Sequence, residues 1–454
     1  MPSDRHRLLA DRDAVGAIIL AVAVPFLFVH ERYQPEVGLG VGSTSIDLRL
    51  SDAAVLAVLV AAAVAAARLG LGRLGPARLL WIPGAALLAW LAFETLRPVS
   101  LDDALFDDHL VSFLKLAEYA LLALAVPLLV RRTEDLAIVL GGLVLWGAVA
   151  TGVALLQFFG LDVLGAWNPG WRQPSFLGHH DLAALAAVGT SLAAAGIVVG
   201  KRRMPVARLF WTALAGGVVG LVLAGSVAAA GGLAVGAAAL WLASRARFSP
   251  SFRQVLALAL VVGVVAGGVA AVRGDALGDF LRFVGVRGDE PPQGVETYSQ
   301  RAVLAYIGLR IFRDHPIVGV GWQRSSRPDE FEPYLDDAHE RFPDVVELAF
   351  PAPGREWGVQ SLYVQILADA GVIGLVLLLA VGAAGLILAW RTAVYASNPW
   401  AAGAGLVVLC ALLTLAGEWA SLGIVAGIPL QAATSLLLGL AAAGAATVEE
   451  ESGG

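Results

Sequence analysis

Residues 359–375 read VQSLYVQILADAGVIGL. Here the longest polar segment of the chain, Arg273 to Gln360, ends and an apolar run begins that continues to Trp390. That run exceeds the roughly 20 residues a helix needs to cross about 30 Å of hydrocarbon. Its first turns nevertheless keep polar groups: helical spacing puts Gln360, Tyr363 and Leu367 on one face and pairs Gln365 with Asp369. Contact with lipid gives no reason to retain such side chains, so they point to a cavity at the end of a membrane helix.

The rest of the chain repeats the apolar pattern. Of 454 residues, 58% are hydrophobic and 15% charged, with a mean hydropathy of +0.75; soluble chains carry about 25% charged residues. We therefore expect an all-α polytopic membrane protein of about twelve transmembrane helices with one large extracytoplasmic loop containing short helices. The runs are Ala14 to Val29, Ala53 to Ala67, Leu79 to Phe93, Val111 to Val130, Leu136 to Phe158 and Leu182 to Val199. Then come Leu209 to Ala224, Val227 to Ala243, Val255 to Val272, Leu362 to Trp390, Ala401 to Leu415 and Leu422 to Ala443. Only Gly225 and Ser226 separate the seventh run from the eighth, so one long kinked segment is an alternative reading.

Loop charge sets the orientation, because Lys and Arg concentrate on the cytoplasmic side near span ends. Arg68, Arg73 and Arg78, then Arg131 and Arg132, then Lys201, Arg202, Arg203 and Arg208, then Arg245, Arg247 and Arg253 occupy alternate loops. Arg391 follows on the same side, and the opposite loops are acidic, with Glu31, Glu36, Asp47 and Asp52, then Glu94, Asp102, Asp103, Asp107 and Asp108, then Glu418, although Arg32, Arg49, Arg97 and Arg172 break the bias individually. Both termini are thus expected inside and the 273–361 segment outside. The implied organisation is a cytoplasmic tail (1–13), a nine-span region (14–272), an extracytoplasmic loop domain (273–361), a three-span region (362–443) and a second tail (444–454). The first residues are too long and acidic for a typical signal region, and no cleavage pattern follows Ala14, so the first run reads as a retained span.

Composition also excludes function classes. Cys410 is the single cysteine, which rules out a disulfide within the chain and a cysteine metal site. No phosphate-gripping glycine motif follows a strand, which disfavours an ATP-driven pump. No basic patch with interleaved aromatics suggests nucleic acid. Runs such as GGVVGLVLAGSVAAAGGLAVGAAAL from Gly216 read as close helix packing through small residues.

Three polar groups remain unexplained by a greasy scaffold. Lys115 and Glu118 lie one turn apart in an apolar helix and can pair. The segment WNPGWRQPSFLGHHDLAALAA (Trp167 to Ala187) gathers Arg172, His179, His180 and Asp181 beside two tryptophans that read as interface anchors, with Asp181 placed to cap the next helix. The histidine spacing fits no strong metal pattern. In the large loop, apolar residues at helical spacing from Ala302 to Phe312 would lie along the outer leaflet, with Arg301, Arg310 and Arg313 towards phosphate. Pro316 ends that helix inside the block DHPIVGVGW, which includes His315 and Trp322. Arg172 and Arg301 together would suit a lipid diphosphate, since guanidinium holds phosphoryl oxygens in bidentate fashion. The acidic patch around Asp336, Asp337, His339 and Glu340 is either a solvated lid or the source of a general base.

RIFRDHPIVGVGW, SLYVQILADAGVIGL and RQPSFLGHHDLAALAA, with the twelve-span plan, resemble the O-antigen ligase and polysaccharide polymerase superfamily of bacterial membrane glycosyltransferases. The resemblance implies a GT-C-like architecture in the bacterial cytoplasmic membrane. It also implies transfer of a glycan from an undecaprenyl-diphosphate carrier to an acceptor hydroxyl, with inversion, without a nucleotide sugar and with neither cofactor nor metal. The partners would be that donor, a glycan or glycolipid acceptor, and membrane lipids. Arg172 and Arg301 match the arginines that engage the diphosphate, and Gln360, Tyr363 and His339 complete the candidate catalytic set. His179, His180, Lys115, Glu118, Arg313, His315 and Trp322 are the candidate substrate-binding residues. Where the family's late helix opens with His-Asn, this chain has Gln360 and Ser361, and an amide is no base near neutral pH. His339, Asp337 or Glu356 would have to supply one, or the leaving diphosphate would drive the step. A lipid-linked-glycan flippase and a non-catalytic envelope-assembly protein stay open as alternatives.

Overall fold

The computed structural model describes residues 14–41, 44–97, 104–164, 172–200, 204, 206–283, 297–424 and 426–453. The tail Met1 to Asp13, the expected anchors Trp167 and Trp171, and the loop charges Asp102, Asp103, Lys201, Arg202 and Arg203 lie outside them. The first nine helices are α1 (Val15–Leu27), α2 (Leu50–Leu69), α3 (Arg78–Leu96), α4 (Ala104–Leu129), α5 (Thr133–Phe158), α6 (His179–Val199), α7 (Phe210–Ala224), α8 (Val227–Arg245) and α9 (Phe252–Val272). The polar segment contributes α10 (Gly274–Phe283), α11 (Thr297–Asp314), α12 (Pro328–Phe331) and α13 (Leu335–Arg341), and the chain ends with α14 (Leu362–Tyr395), α15 (Pro399–Trp419) and α16 (Pro429–Gly453). Among the described residues eleven helices are long and apolar enough to cross a membrane, and α1 is a shorter apolar one. Each of the twelve apolar runs therefore coincides with a helix, and the protein is an all-α polytopic membrane protein.

One element was not anticipated. β1 (Glu36–Val41) and β2 (Thr44–Arg49) form an antiparallel hairpin with Glu36 opposite Arg49. Its alternation is too short to register beside the long apolar runs. Arg49 pairs with Glu31 at 2.5 Å, and Asp52, on the first turn of α2, accepts the Arg49 backbone N–H at 2.8 Å.

The helices at the centre, α6, α15 and α16, are buried nearly all round, whereas α2, α3 and α9 bury a minority of their residues. Small residues allow the central contacts. A Cβ on Gly417 of α15 would stand 2.5 Å from the Ala228 carbonyl and 2.8 Å from the Gly232 Cα of α8, so these two backbones touch. With no hydrophobic drive between helices in lipid, this close packing is what associates them. The seventh and eighth runs are two helices: Gly225 closes α7 in the left-handed conformation (φ 62°), and the Ser226 hydroxyl accepts the Ala229 N–H to start α8.

The helix α14 is interrupted at Gly371 (φ 66°, ψ −168°). The Pro316–Trp322 loop enters that break. Val320 and Gly321 N–H groups donate to the carbonyls of Ala368 and Asp369 at 2.9 and 2.8 Å, and Val372 N–H donates to Pro316 at 2.9 Å. A side chain on Gly371 would stand on the Ile317 carbonyl. The Asp369 carboxylate accepts the backbone N–H groups of Ser325 (2.9 Å) and Gln323 (3.2 Å). Thus the two motifs DHPIVGVGW and QILADAGVIGL form one joint between the cap and the bundle.

The polar segment also builds its own core, of Val303, Ile307 and Ile311 of α11 with Val320, Phe331, Ala338 and Phe350. This corrects one expectation. The apolar face of α11 is covered by the cap, and Val303 and Ile311 are fully buried, so it does not lie on the leaflet. The periodicity was real, but it recorded burial against protein.

Candidate functional site

At the end of the bundle under the cap, a cavity of about 170 Å³ is lined by Arg172, His180, Gly225, Ser226, Val227, Ala228, Arg273, Tyr298, Arg301 and Ser421. Each wall follows from an element boundary. Arg172 opens a loop fixed by Gln173 N–H to the Leu223 carbonyl (2.8 Å) and by Gln157, which accepts from Ser175 N–H at 2.8 Å. Its Nε donates to the Ala224 carbonyl at 2.6 Å, the carbonyl end of α7, where a cation is favoured. Gly225 lets the chain turn there, for a Cβ would stand 3.2 Å from the Arg172 Cγ. Arg273 follows the last residue of α9 and lies over the Tyr298 ring, 5.3 Å from its centroid. Arg301, one turn into α11, donates from Nε to the Gln360 side-chain carbonyl at 2.9 Å.

The charge balance of this cavity is lopsided. Among the described residues none of the three arginines forms an ion pair, and no carboxylate lines the walls. The Arg273 Nε is buried without a hydrogen-bond partner. Burial pushes the Arg172 guanidinium down to about 10, with Arg273 and Arg301 adding to the fall and Glu418 opposing it. Burial lowers Arg301 as well, with Arg273 in the same direction. An anion entering the cavity would relieve the mutual repulsion of these guanidinium groups.

Behind the wall sits Glu418, on the last turn of α15 and fully buried. Its two carboxylate oxygens contact His180 Nδ1 and the Ser226 hydroxyl. The α8–α15 backbone contact sets this arrangement, since it brings the start of α8 beside the end of α15.

The expected residues separate into two groups. Arg172, Arg301, His180 and, through Arg301, Gln360 converge on the cavity, and His179 faces the Arg172 backbone. Tyr363 donates its hydroxyl to the Ala416 carbonyl at 2.8 Å, fastening α14 to α15. The others lie elsewhere. His339 stacks on Phe350 with ring centroids 3.9 Å apart and pairs with Glu347 at 2.9 Å. Asp337 takes hydrogen bonds from Tyr306 (2.7 Å) and Arg310 (2.9 Å). Arg313, His315 and Glu356 are exposed on the cap. Trp322 is fully buried, its backbone N–H on the Glu94 carbonyl. Lys115 reaches across to Asp52 of α2 at 2.9 Å, so the cation expected to pair with Glu118 along its own helix bridges two helices instead. Asp181 does not cap α6, which starts after Gly178; it accepts the Leu430 N–H at the start of α16.

Arg273, Tyr298 and Ser226 on the cavity wall, and Glu418 behind it, were not among the expected site residues. The signal for Glu418 was present, as a carboxylate closing an apolar run is seldom left without a partner. The signal for Ser226 was the two-residue gap between apolar runs. Among the described residues no group of three or more His, Cys, Asp or Glu side chains is placed to hold one metal ion.

Residues 212–379 match the family model Wzy_C, described as O-antigen ligase. That stretch carries Ser226, Arg273, Tyr298, Arg301 and Gln360, while Arg172, His180 and Glu418 lie outside it. No curated protein gives a significant match to the chain.

Proposed function

We propose that this chain, a member of the O-antigen ligase family by its residues 212–379, transfers a glycan from a lipid-diphosphate carrier to an acceptor hydroxyl. The carrier would be an undecaprenyl diphosphate, and the transfer would take place at the outer face of the cytoplasmic membrane. The observation that carries the reading is the trio Arg172, Arg273 and Arg301 around one cavity, without an ion-pair partner among the described residues. Guanidinium groups match phosphoryl oxygens in pairs of hydrogen bonds. As the sugar leaves the diphosphate, negative charge grows on the bridging oxygen, and fixed cations in a water-poor cavity stabilise that charge more than they stabilise the bound donor. Attack by the acceptor from the side opposite the diphosphate inverts the anomeric centre.

A second cavity supports the same reading. About 460 Å³ of space is lined almost wholly by apolar residues of α3, α4, α14 and α16, among them Trp81, Leu88, Ala120 and Leu378. Trp419 and Ile424 also line it, and Glu418 and Ser421 of the same segment belong to the polar site. A polar cavity for an anionic head and an apolar one for a long chain, a few residues apart, suit an amphipathic donor. The test is incubation of the purified protein with defined undecaprenyl-diphosphate glycans and candidate acceptors, followed by mass analysis. The expected result is an acceptor enlarged by the glycan together with free undecaprenyl diphosphate. Extended chains on the carrier would indicate a polymerase and a new glycoconjugate a ligase, while unchanged substrates would remove the reading.

A further inference from the structure

A transfer to a hydroxyl needs an acceptor for its proton, and Gln360 offers an amide whose oxygen already holds Arg301 at 2.9 Å. His339 and Asp337, two of the bases the sequence offered in its place, are tied into the cap by Glu347, Phe350, Tyr306 and Arg310, and the third, Glu356, is exposed. His180 is the one imidazole on the cavity wall among the described residues. Its Nδ1 donates to the Glu418 carboxylate, and its Nε2 has no hydrogen-bond partner among the described residues. A histidine held this way has a defined tautomer, with the proton on Nδ1 and the lone pair on Nε2. Glu418 is itself held, since the Ser226 hydroxyl donates to its other oxygen.

We propose that His180 is the general base of the transfer, oriented by Glu418 and Ser226 from behind the cavity wall. The proposal rests on the transferase reading above and says which group replaces the histidine missing at position 360. In the step, the acceptor oxygen forms a bond to the anomeric carbon as its proton moves to His180 Nε2. The bond from that carbon to the diphosphate oxygen breaks with its electron pair, and Arg172, Arg273 and Arg301 meet the charge. The imidazolium faces Glu418, which stabilises it until the proton passes to the departing diphosphate or to water. His180 is the catalytic residue of this scheme, and Glu418 and Ser226 are positioning residues. The logic is that of a carboxylate, a histidine and a hydroxyl in line, with the hydroxyl supplied by the substrate.

The test uses the full-length protein in detergent or nanodiscs, with a defined undecaprenyl-diphosphate glycan and its acceptor. His180→Ala should lower turnover by about 10²–10⁴-fold, the usual share of a general base, while donor affinity stays within about threefold of the unsubstituted protein. Added imidazole should restore part of the lost turnover, which no purely structural role allows. Glu418→Gln keeps size and most hydrogen bonding, and should lower kcat with KM for the donor unchanged. Turnover by His180→Ala within about threefold of normal would overturn the base assignment and leave the transferase reading standing. Equal loss of donor binding and turnover, with no response to imidazole, would also overturn it. Absence of transfer by the unsubstituted protein would remove both.

Discussion

Arg172 is fixed at two points, by its Nε on the Ala224 carbonyl and by its side-chain carbons against Gly225, so the rest of the guanidinium is aimed and not searching. Replacement by Ala is expected to lower transfer by about 10²–10³-fold, as for loss of one preorganised donor. Lys should rescue little, because it lacks the planar fork. Steady-state rates on a lipid-diphosphate glycan check both. Gln360→Ala removes only what orients Arg301, and we expect a loss of about tenfold or less, well short of the Arg301→Ala effect. His30 gives a pH test away from the chemistry. Its backbone N–H donates to the Phe176 carbonyl at 2.9 Å and its Nδ1 accepts the Arg32 N–H at 3.1 Å, which ties the α1 end to the Arg172 loop. Burial holds its pKa below the ordinary histidine range, Arg49 and Arg32 act the same way and Glu31 opposes. Because the folded value is the lower one, the stability it contributes is present above about pH 6.5 and is lost as pH falls towards the folded value. Thermal unfolding followed from pH 8 to 5 should show that decline, and His30→Gln should flatten it.

At the level of elements, the joint between α14 and the Pro316–Trp322 loop governs whether the cap can sit over the cavity. Gly371 has a backbone conformation that only glycine adopts easily, and its missing side chain is where the Ile317 carbonyl runs. Gly371→Ala should therefore destabilise the protein by about 1–3 kcal/mol from backbone strain alone, with more from the clash. The measurement is the unfolding midpoint in detergent together with proteolysis of the cap; an unchanged midpoint would mean that the joint carries no stability. This joint explains why DHPIVGVGW and VQILADAGVIGL both stand out in the sequence. Their glycines and Asp369 meet at the joint, whereas the site cations come from the loop before α6, the end of α9 and the first turns of α11.

For the molecule as a whole, the apolar cavity beside the polar one makes a prediction about substrate length. Ala120→Phe would fill part of it, and should raise KM for a full-length polyprenyl carrier several-fold while leaving a short-chain analogue unaffected. Competition between the two carriers in one assay checks this. Orientation is tested at the same scale. Pro333 is exposed on the cap and Cys410, the single cysteine, is buried, so Pro333→Cys should react with an impermeant thiol reagent added from outside intact cells. Labelling only after the cytoplasm is opened would overturn the orientation read from loop charge.

The apolar helices and the polar segment were legible in the chain because each is a local property: a run of some twenty apolar residues has few ways to satisfy its backbone other than a membrane helix, although among the described residues only eleven of the twelve expected runs form helices long enough to span. Arg172 and Arg301 stood out in the chain because guanidinium groups suit phosphoryl oxygens and because both match the arginines that the family resemblance implies for the diphosphate. Contacts between segments far apart were not legible. Arg273 read as the edge of a loop, and Glu418 and Ser226 as loop polarity, until the touching backbones at Gly232 and Gly417 brought the start of α8 beside the end of α15. The apolar face of α11 likewise had two possible partners, lipid and protein, and its periodicity is the same for either. Local sequence decides which segments must leave water. Which of their polar ends share a cavity depends on how closely helices pack, and that is set by steric fit across hundreds of residues.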